Sequence, residues 1–327
     1  MIKNRLPVRK SLRVLVVGGG LSSEHEVSLK TSKMIVENLD AGKYDARLMI
    51  IGRDGKWRFG KNKPVDIGAA VTKISRAKFD FVFIALHGIF GEDGRIQALC
   101  EWLNLHYEGS GVLASALAMD KQMTNVVYSA NGLPVPAYVV VDERNVKAVK
   151  MPFPVVVKPI DGGSSVGISI VKIEKEMTDA LKIAFRESRR IMIQKYIEGK
   201  EITCGVIEDN EGHPFALPPT EIVPRDAVFF DYHAKYAAGG SSEITPARIP
   251  SVQIKEVQKL AIRAHDALGC RGMSRSDFIL NKGKFYILET NTIPGMTDAS
   301  LLPKAAAAAG ISFPALLEMI IDAGLKK

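Results

Sequence analysis

Strand-like and helix-like segments alternate through the first third of this 327-residue chain. The apolar run LRVLVV at 12–17 is followed by the turn GGGLSS and then by EHEVSLKTSKMIVENL, whose apolar residues have helical spacing. The strand-like runs RLMIIG and FDFVFIAL come next. This order is typical of a parallel sheet covered by helices, so the sequence predicts an α/β unit over roughly the first third.

A different pattern begins after NGLPVPAY at 131–138, which breaks any helix. β-rich segments then lie in pairs, at 154–158, 166–173, 191–197 and 202–208. A stretch at 209–250 is rich in Pro, Gly and Ser, and we predict it to be irregular. Loops of that length are usually functional or disordered. The strand-like runs SDFIL and KFYILET precede a helical C-terminus from Ser300 onward. The sequence therefore predicts an α+β organisation after the first third.

Charge and cysteine content argue against several classes of protein. The net charge of +8 permits an anionic ligand, but the basic residues are spread out, without the aromatic-interleaved arginine runs of nucleic-acid binders. The three cysteines, Cys100, Cys204 and Cys270, form no CxxC pair, which disfavours a disulfide framework and a zinc site. The basic N-terminus lacks the apolar segment of a signal peptide, and no apolar run approaches membrane-spanning length. We therefore expect a soluble cytoplasmic protein without nucleic-acid or membrane partners.

The first of two glycine-rich turns falls short of a dinucleotide-binding motif. In VVGGG, Gly18 and Gly20 fit the fingerprint, but its third glycine position holds Ser23. A plain strand-to-helix turn is therefore the simpler interpretation. Glu24 follows near the N-terminus of the next helix, where a carboxylate serves either a ligand or the helix dipole.

The second turn lies in VVVKPIDGGSSVGISIV at 155–171. Gly162 and Gly167 have the spacing of a P-loop, but the lysine, Lys158, stands upstream on the first of two strands. Glycines let backbone N–H groups approach oxyanions, serines add donors and the lysine adds a point charge. From these residues alone, a phosphate-binding loop and a surface hairpin with an incidental lysine are equally supported.

Polar residues interrupt two strand-like runs near the C-terminus, in SRSDFILNKGKFYILETNTIPG. Glu289 and Asn291 are two residues apart and so share one face of a strand, and an adjacent antiparallel strand would bring Asp277 beside them. Oxygen ligands without His or Cys suit Mg²⁺, which also binds phosphate oxygens. Arg275 shares the face of Asp277 and could hold a carboxylate or a phosphate. A solvated charged hairpin is the alternative, but it explains poorly why Glu289 ends an apolar run.

The phosphate loop with its upstream lysine and the D…E-x-N trio together resemble the ATP-grasp fold. The finer resemblance is to the D-alanine–D-alanine ligase family, and it covers nearly the whole chain. The motifs that carry it follow the family's order: GGGLSSEHEVS, LHGIFGEDGRIQ, GSGVLASALAMDK, VKPIDGGSSVG, KYIEGKEITCGV, AKYAAGGSSEITPA, SRSDF and ETNTIPGMTDASLLPKAA. The resemblance implies an N-terminal parallel α/β domain at 1–109, followed by two α+β subdomains at 110–194 and 195–327 that sandwich ATP.

The activity that the resemblance implies is ATP-dependent ligation of two D-alanines for peptidoglycan precursor synthesis. ATP would phosphorylate the carboxylate of the first D-alanine, and the amine of the second would attack the acylphosphate. The implied cofactors are ATP, as a substrate, and two Mg²⁺ (or Mn²⁺) ions. The implied partners are D-alanine and a second copy of the chain in a homodimer.

The resemblance also implies roles for individual residues. ATP would be held by Lys121, Lys158, Gly163, Ser164, Ser165, Gln194, Lys195, Tyr196, Ile197, Glu201, Phe229 and Lys235. The metal ligands would be Asp277, Glu289 and Asn291. The substrates would contact Glu24, His87, Arg275, Gly295, Ser300 and Leu301. The catalytic residues would be Glu24, Ser164, Tyr236, Arg275 and Gly295. Within that set, a hydrogen-bonded trio of Glu24, Ser164 and Tyr236 would lock the loop at 225–245 over the site.

Other functions stay open beside this one. Ligases of the same fold that join D-alanine to D-lactate or D-serine are the main alternative, although a tyrosine at 236 goes with dipeptide formation in the family. A nucleotide-binding regulator without turnover is disfavoured by the metal trio and Arg275, and a dehydrogenase by the missing third glycine. Some positions depart from the family pattern: Gln194 stands where glutamate is frequent, Phe230 where tyrosine is common, and Met273 where an aromatic residue is frequent. Thr290 lies between two of the metal ligands, and its side chain should face away from them.

Overall fold

The computed structural model describes residues 11–146, 151–163, 166–224 and 241–326. The first part is the predicted parallel α/β unit, with strands in the order β3-β2-β1-β4-β5 and only β3 antiparallel to its neighbour. Its strands are β1 (Leu12–Gly19), β2 (Tyr44–Ile51), β3 (Trp57–Phe59), β4 (Phe81–Ile84) and β5 (His106–Tyr107). Its helices are α1 (His25–Asn38), α2 (Ile67–Ala77) and α3 (Arg95–Trp102). The prediction for the first third is confirmed.

Burial explains why β1 is apolar throughout. Residues Val14 to Val17 are at most 1% exposed, so both faces of the strand are covered, as is usual for the central strand of a parallel sheet. The chain leaves the carboxyl end of β1 through Gly19 and Gly20, which have φ values of +86° and +97°. Only glycine adopts that conformation readily, and the turn brings Glu24 to the start of α1.

The middle of the chain forms three α-helices and a four-stranded antiparallel sheet with the order β6-β9-β7-β8. The helices are α4 (Val112–Met119), α5 (Lys121–Ala130) and α6 (Met177–Glu187). The strands are β6 (Tyr138–Val141), β7 (Val155–Pro159), β8 (Ser169–Val171) and β9 (Ile191–Lys195). Alternate residues of β7 and β9, such as Val157 and Ile193, are buried in one cluster with the α6 residues Ala180 and Ala184. The other face of this sheet therefore carries the intervening residue Lys158.

The last sheet is antiparallel, with the order β13-β12-β10-β14-β15 and with β11 paired to β10. Its strands are β10 (Lys200–Glu208), β11 (Pro214–Ala216), β12 (Thr220–Pro224), β13 (Ser241–Ile244), β14 (Met273–Asn281) and β15 (Lys284–Asn291). The helices that follow or flank it are α7 (Ser251–Leu268), α8 (Leu301–Ala308) and α9 (Phe313–Leu325). One face packs its apolar side chains against α7.

The prediction that 209–250 is irregular is wrong for the three strands β11, β12 and β13. They are three to five residues long and contain Pro, Ser and Thr, so their own sequences show no period-2 alternation of apolar residues. Pairing with β10 and with each other supplies the backbone hydrogen bonds that local propensity does not favour.

A β-bulge in β15 has a consequence for the site. Asp277 pairs with Glu289, but the next residue, Phe278, pairs with Ile287, which leaves Leu288 as the extra residue. Ile287 is 1% exposed in the apolar core, although it lies only two residues before Glu289. A regular strand would place these two side chains on the same face. The bulge separates them, so that Glu289 joins Asp277 on the polar face of the sheet.

No single helix in the described ranges is both long and apolar enough to cross a membrane. Helices α8 and α9 satisfy the criteria of length and composition only as a pair, bent by 106° at their junction. The α9 residues Leu316, Leu317, Ile320 and Ile321 are at most 1% exposed, in the same cluster as β1 and β4.

Candidate active site

A cavity of about 530 Å³ brings most of the predicted site residues together. The predicted residues that line it are Glu24, His87, Lys121, Gly163, Glu201, Arg275, Asp277, Glu289, Asn291, Gly295, Ser300 and Leu301. They come from all three parts of the chain: the α1 end of the parallel sheet, the loop after β7, and the polar face of the last sheet with the segment that follows it. Residues far apart in sequence thus face one space.

The polar face of the last sheet carries the predicted metal ligands. Asp277 is paired with Glu289 across β14 and β15, and Arg275 is paired with Asn291 in the same register. The guanidinium of Arg275 donates to both carboxylate oxygens of Asp277, with Nε–Oδ1 at 3.0 Å and Nη2–Oδ2 at 3.1 Å. The side-chain oxygen of Asn291 accepts the Ile293 N–H at 2.8 Å, which fixes its orientation.

Thr290 faces the opposite way, as predicted from its position. Its hydroxyl lies 2.5 Å from the Tyr128 hydroxyl and 2.6 Å from Ser276 Oγ, on the buried side of the sheet. The strand therefore sends alternate side chains to the cavity and to the interior, and Glu289 and Asn291 direct their polar groups to the cavity.

The donor set fits Mg²⁺ bound together with a phosphate ligand. Across the residues that the structure describes, there is no group of three or more His, Cys, Asp or Glu side chains that could hold a metal ion by itself. Asp277, Glu289 and Asn291 offer two carboxylates and one amide oxygen. Mg²⁺ is commonly bound through one or two carboxylates plus substrate phosphates, not by an all-protein cage. The site is consistent with a cation that arrives with a nucleotide.

Two lysines from the middle part of the chain lie near Glu289. Lys121, the first residue of α5, donates from Nζ to the Gly162 carbonyl at 2.8 Å and lies 3.8 Å from Glu289 Oε2. Lys158 at the end of β7 is only 5% exposed. Burial lowers the pKa of Lys158 to about 8; the Glu289 carboxylate opposes this effect and the charge of Lys121 adds to it. Two neighbouring cations, one of them desolvated, form a favourable site for a polyanion.

The carboxylate of Glu24 lies close to two glycines, Gly88 and Gly163. A Cβ on Gly88 would stand 3.0 Å from Glu24 Oε2, and a Cβ on Gly163 would stand 3.5 Å from the same atom. Absence of a side chain at both positions leaves room for the carboxylate. Glu24 therefore lies near both the parallel sheet and the loop after β7, where it could contact a ligand that spans the two.

His87 is buried and both of its ring nitrogens have protein neighbours. Nε2 lies 3.0 Å from Thr31 Oγ1, and Nδ1 lies 3.6 Å from Glu92 Oε1. Burial disfavours the charged ring, but the hydrogen bond and charge of Glu92, together with the charge of Glu24, raise the pKa of His87. Glu92 in turn accepts the Gly88 N–H at 3.0 Å. His87 lines the cavity as predicted, with its ring held by Thr31 and Glu92.

Ser300 is held at the far end of the cavity by its neighbour Thr297. Ser300 Oγ accepts the Thr297 N–H at 3.0 Å and lies 2.8 Å from Thr297 Oγ1. It precedes α8, whose first residue, Leu301, packs against Ile222 of β12. Gly295 lies beneath this hydroxyl. The segment thus presents a hydroxyl and a helix N-terminus to the cavity, groups that suit a carboxylate.

The residues predicted to bind adenine and ribose lie along two strands. Gln194, at the end of β9, is 2% exposed, and its Nε2 has no hydrogen-bond partner. Lys195 and Tyr196 donate their backbone N–H groups to the Ala137 and Pro154 carbonyls, and Ile197 follows. Glu201 of β10 lines the cavity two residues before Thr203, on the face that carries Asp277. The segment from Gln194 to Ile197 is not among the residues that line the cavity.

Five predicted residues lie outside the described ranges. These are Ser164, Ser165, Phe229, Lys235 and Tyr236. Their roles, including the trio with Glu24, stay predictions.

Comparisons with known proteins assign the chain to a family. The model of the D-ala D-ala ligase N-terminus matches residues 13–110, and that of the D-ala D-ala ligase C-terminus matches residues 127–322. A D-alanine--D-alanine ligase of Pelotomaculum thermopropionicum is 42% identical over an alignment of 330 positions, which covers 97% of this chain and 98% of that protein. One from Syntrophobacter fumaroxidans is 43% identical over 323 residues, 97% of this chain and 99% of that one. This chain belongs to the D-alanine–D-alanine ligase family.

Solved structures of related ligases have the same fold. The VanG D-Ala:D-Ser ligase from Enterococcus faecalis superposes with a TM-score of 0.85 at 30% identity, covering 95% of this chain and 99% of its own. The D-alanine-D-alanine ligase from Coxiella burnetii gives a TM-score of 0.80 at 31% identity, with coverages of 97% and 94%. The ATP-grasp fold predicted from the motifs is confirmed. Because ligases for D-alanine and for D-serine both match, fold similarity does not distinguish their second substrates.

Sequence reasoning missed three residues that the D-alanine–D-alanine ligase fold places beside the predicted ones. Glu92 supports His87, Thr203 donates to Asp277, and Thr297 holds Ser300. Glu92 lies in the motif LHGIFGEDGRIQ, five residues after His87, and this spacing could have identified it from the sequence. Thr203 gave no such signal, because its partner Asp277 is 74 positions away in the sequence. Thr297 lies only three residues before Ser300, but that spacing is common in turns and did not single it out.

Proposed function

We propose that this protein catalyses the ATP-dependent ligation of two D-alanines to D-alanyl-D-alanine for peptidoglycan precursor synthesis. Family membership over nearly the whole chain supports the reaction. The observation that carries the site assignment is that Lys121, Asp277 and Glu289 line one cavity, with Lys121 Nζ 3.8 Å from Glu289 Oε2. Buried Lys158 lies close enough to Lys121 and Glu289 for both charges to affect its pKa. This arrangement suits a metal-bound polyphosphate held between the sheets.

The first step transfers the γ-phosphoryl group of ATP to a carboxylate oxygen of the first D-alanine. The bond between the γ-phosphorus and the bridging oxygen breaks, and ADP leaves with that oxygen. Lys121 and Lys158 neutralise the phosphates, and Gly163, Ser164 and Ser165 contribute donors from the loop. Asp277, Glu289 and Asn291 would hold Mg²⁺ (two ions, or Mn²⁺ in their place), which would neutralise charge on the transferring phosphoryl when bound. Glu24, with His87 beside it, holds the ammonium group of this substrate.

In the second step, the amine of the second D-alanine attacks the acyl carbon of the D-alanyl phosphate. Electrons from the carbonyl pass to its oxygen, which Arg275 and the Gly295 N–H stabilise as an oxyanion. Phosphate then leaves with the bonding electrons, and the attacking nitrogen loses its extra proton. Ser300 and the N-terminus of α8 at Leu301 hold the carboxylate of the second substrate, which orients its amine toward the acyl carbon.

The nucleoside is assigned to the region between β9 and β10. Gln194, Lys195, Tyr196, Ile197, Phe229 and Lys235 would hold the adenine end, and Glu201 would accept from the ribose hydroxyls. Buried Gln194, with its unpartnered Nε2, is consistent with a base that brings an acceptor. Tyr236, with Glu24 and Ser164, would hold the loop at 225–245 in place. We also propose domain boundaries after 109 and after 194.

We further propose that the protein is a cytoplasmic homodimer. Trp102 is 89% exposed on α3 and Leu113 is 73% exposed on the neighbouring helix α4. Large apolar side chains exposed on neighbouring helices are typical of protein interfaces. The free cysteines Cys100, Cys204 and Cys270 are all buried, which agrees with a reducing compartment.

The test is phosphate release from ATP and Mg²⁺ in the presence of different acceptors, with products resolved by mass. Release that requires D-alanine and yields D-alanyl-D-alanine is the expected result. D-lactate and D-serine, each supplied together with D-alanine, test the two alternative second substrates. D-serine is the one for which the similar VanG ligase is named. A depsipeptide or a D-Ala-D-Ser product under these conditions would overturn the assignment of the second substrate. No release with any acceptor would overturn catalysis altogether.

A further inference from the structure

The carboxylate of Asp277 is nearly saturated with hydrogen bonds from the described part of the chain. Oδ1 accepts from Thr203 Oγ1 at 2.5 Å and from Arg275 Nε at 3.0 Å, while Oδ2 accepts from Arg275 Nη2 at 3.1 Å. A carboxylate has about four lone-pair positions, two on each oxygen. Among the described residues, these three donors leave one position, and it is on Oδ2.

Thr203 is fixed in place more firmly than Arg275. It lies directly opposite Asp277 in the pairing of β10 with β14 and is 2% exposed. Its hydroxyl has one proton, and the other acceptor in reach, the Ser276 carbonyl, is farther away at 3.3 Å. The charged acceptor at 2.5 Å therefore receives the proton. Arg275, by contrast, is assigned to the reacting carbonyl and must be able to leave Oδ1.

We propose that Thr203 is a positioning residue of the metal site, which holds Oδ1 toward β10, also when Arg275 has moved to the reacting carbonyl, so that Asp277 turns Oδ2 to a cation. This inference rests on the proposed ATP and metal site. A carboxylate with one oxygen available binds as a single ligand, which suits the octahedral shell of Mg²⁺. Ca²⁺ is larger and readily takes both oxygens of one carboxylate. Thr203 thus favours Mg²⁺ over Ca²⁺ by withholding the second oxygen.

The experiment measures binding of ADP by titration calorimetry, with Mg²⁺ or with Ca²⁺ and without D-alanine, so that turnover plays no part. The test variant is Thr203→Val, which keeps the shape and removes the donor, and Thr203→Ser restores the donor. The matched control is Thr220→Val. Thr220 lies opposite Thr203 on β12 and is also buried, and its hydroxyl lies 2.6 Å from the neutral hydroxyl of Thr245.

In Thr203→Val we expect Mg²⁺-dependent ADP affinity to fall about tenfold, since loss of a hydrogen bond to a ligating carboxylate typically costs 10–100-fold in metal affinity. Affinity with Ca²⁺ should fall less than about threefold, because Oδ1 becomes available to the larger ion. Thr203→Ser and Thr220→Val should keep the wild-type ratio of the two affinities. Thermal unfolding of each variant establishes that it is folded.

Three results would count against the inference. Equal losses with both cations in Thr203→Val would show a general effect on the site and overturn the role in cation choice. A changed ratio in Thr220→Val, or in Thr203→Ser, would attribute the effect to the strand and not to the donated hydrogen bond. Absence of any divalent-dependent ADP binding in the wild-type protein would overturn the proposed site itself, and the inference with it.

Discussion

Gly295 lies beneath the Ser300 hydroxyl so closely that a Cβ on Gly295 would stand 2.8 Å from Ser300 Oγ. Ser300 Oγ has little freedom to withdraw, because it is bonded to both the N–H and the hydroxyl of Thr297. Ser300 Oγ can therefore keep this position only while residue 295 has no side chain. This relationship joins the residue proposed to stabilise the oxyanion to the residue proposed to hold the second substrate.

Gly295→Ala should therefore weaken binding of the second D-alanine. The added methyl group displaces Ser300 Oγ from its place beside the carboxylate, and a lost hydrogen bond to a charged group corresponds to roughly tenfold or more in KM. The KM of the first D-alanine should change less than about threefold. Steady-state kinetics that separate the two D-alanine sites provide the measurement. In Ser300→Ala the methyl has no hydroxyl to displace, so the double variant should be little worse than Ser300→Ala. Additive losses would contradict the steric explanation.

ATP affinity should fall as the pH rises above 8, the approximate pKa of buried Lys158. If only the ammonium form binds phosphate, affinity at about pH 9 is roughly tenfold lower than at about pH 7. Calorimetry in two buffers of different ionisation enthalpy should also detect proton uptake on binding. Lys158→Arg is the control, since a guanidinium stays charged across this range. An equal decline in Lys158→Arg would assign the titration to another group.

The same lysine affects stability with a defined sign. Its pKa is lower in the folded chain than the ordinary value of 10.5, so the unfolded chain binds more protons between about pH 8 and 10.5. The contribution of Lys158 to the free energy of unfolding therefore rises with pH over that window and is least favourable below it. Denaturant unfolding of the wild-type protein and of Lys158→Met at several pH values would isolate this contribution.

Removal of charge from either paired carboxylate should abolish ligation. Asp277→Asn and Glu289→Gln keep the size of the side chain but remove an anionic ligand. Asp277→Asn also removes the carboxylate that pairs with Arg275, and Glu289→Gln removes the one that pairs with Lys121. We expect turnover to fall by at least about a thousandfold in each variant, because stabilisation of the transferring phosphoryl depends on the metal. ADP and phosphate release are the measurements. Near-normal ATP hydrolysis in either variant would refute the metal assignment.

Tyr128→Phe should cost stability without affecting the chemistry. The Tyr128 hydroxyl is buried and lies 2.5 Å from Thr290 Oγ1, on the side of the sheet away from the cavity. Loss of such a bond costs about 1–2 kcal/mol, and Thr290 keeps Ser276 as a second partner. Denaturant unfolding measures the cost, and kcat should stay within about threefold of wild type. A large fall in kcat would show that Thr290 influences the metal ligands on either side of it.

Trp102→Glu should convert a dimer into a monomer. The substitution places a charge in the centre of the proposed interface on α3 and α4, where desolvation of an unpaired carboxylate is costly. Light scattering coupled to size exclusion gives the mass. Val252→Glu is the matched control, because Val252 is also apolar, 70% exposed and on a helix, but at the start of α7. A monomeric wild-type protein would end the dimer proposal.

Much of the site was predictable because its residues follow simple spacing rules. Asp277, Glu289 and Asn291 share a face as their positions indicated, and Lys158 stands at the end of a strand before the loop. The bulge at Leu288 was not predictable, since an extra residue in a strand leaves no trace in an apolar run. We predicted that Asp277 lies beside Glu289 on the assumption that side chains alternate regularly along both strands. In the structure the two residues pair, but the bulge at Leu288 is needed to bring Glu289 to the face of Asp277.

Other features depend on contacts between distant segments. The short strand β12 forms because β10 offers it hydrogen bonds, and β13 pairs in turn with β12, which their own composition does not reveal. Thr203 is ordinary in sequence and becomes specific only when β14 brings Asp277 within 2.5 Å. Local pattern predicts which face a residue occupies, but it does not predict which neighbour that face will meet.

On strand β14, Arg275 and Asp277 line the cavity, while Phe278 and Leu280 lie in the apolar cluster with α7. A single residue inserted or deleted within this strand, unless it were absorbed as a bulge like the one at Leu288, would exchange these two sets. A carboxylate would then lie among apolar side chains, and a phenyl ring would face the cavity. Changes of length around the cavity are therefore better accommodated in the loops that border it than in this strand.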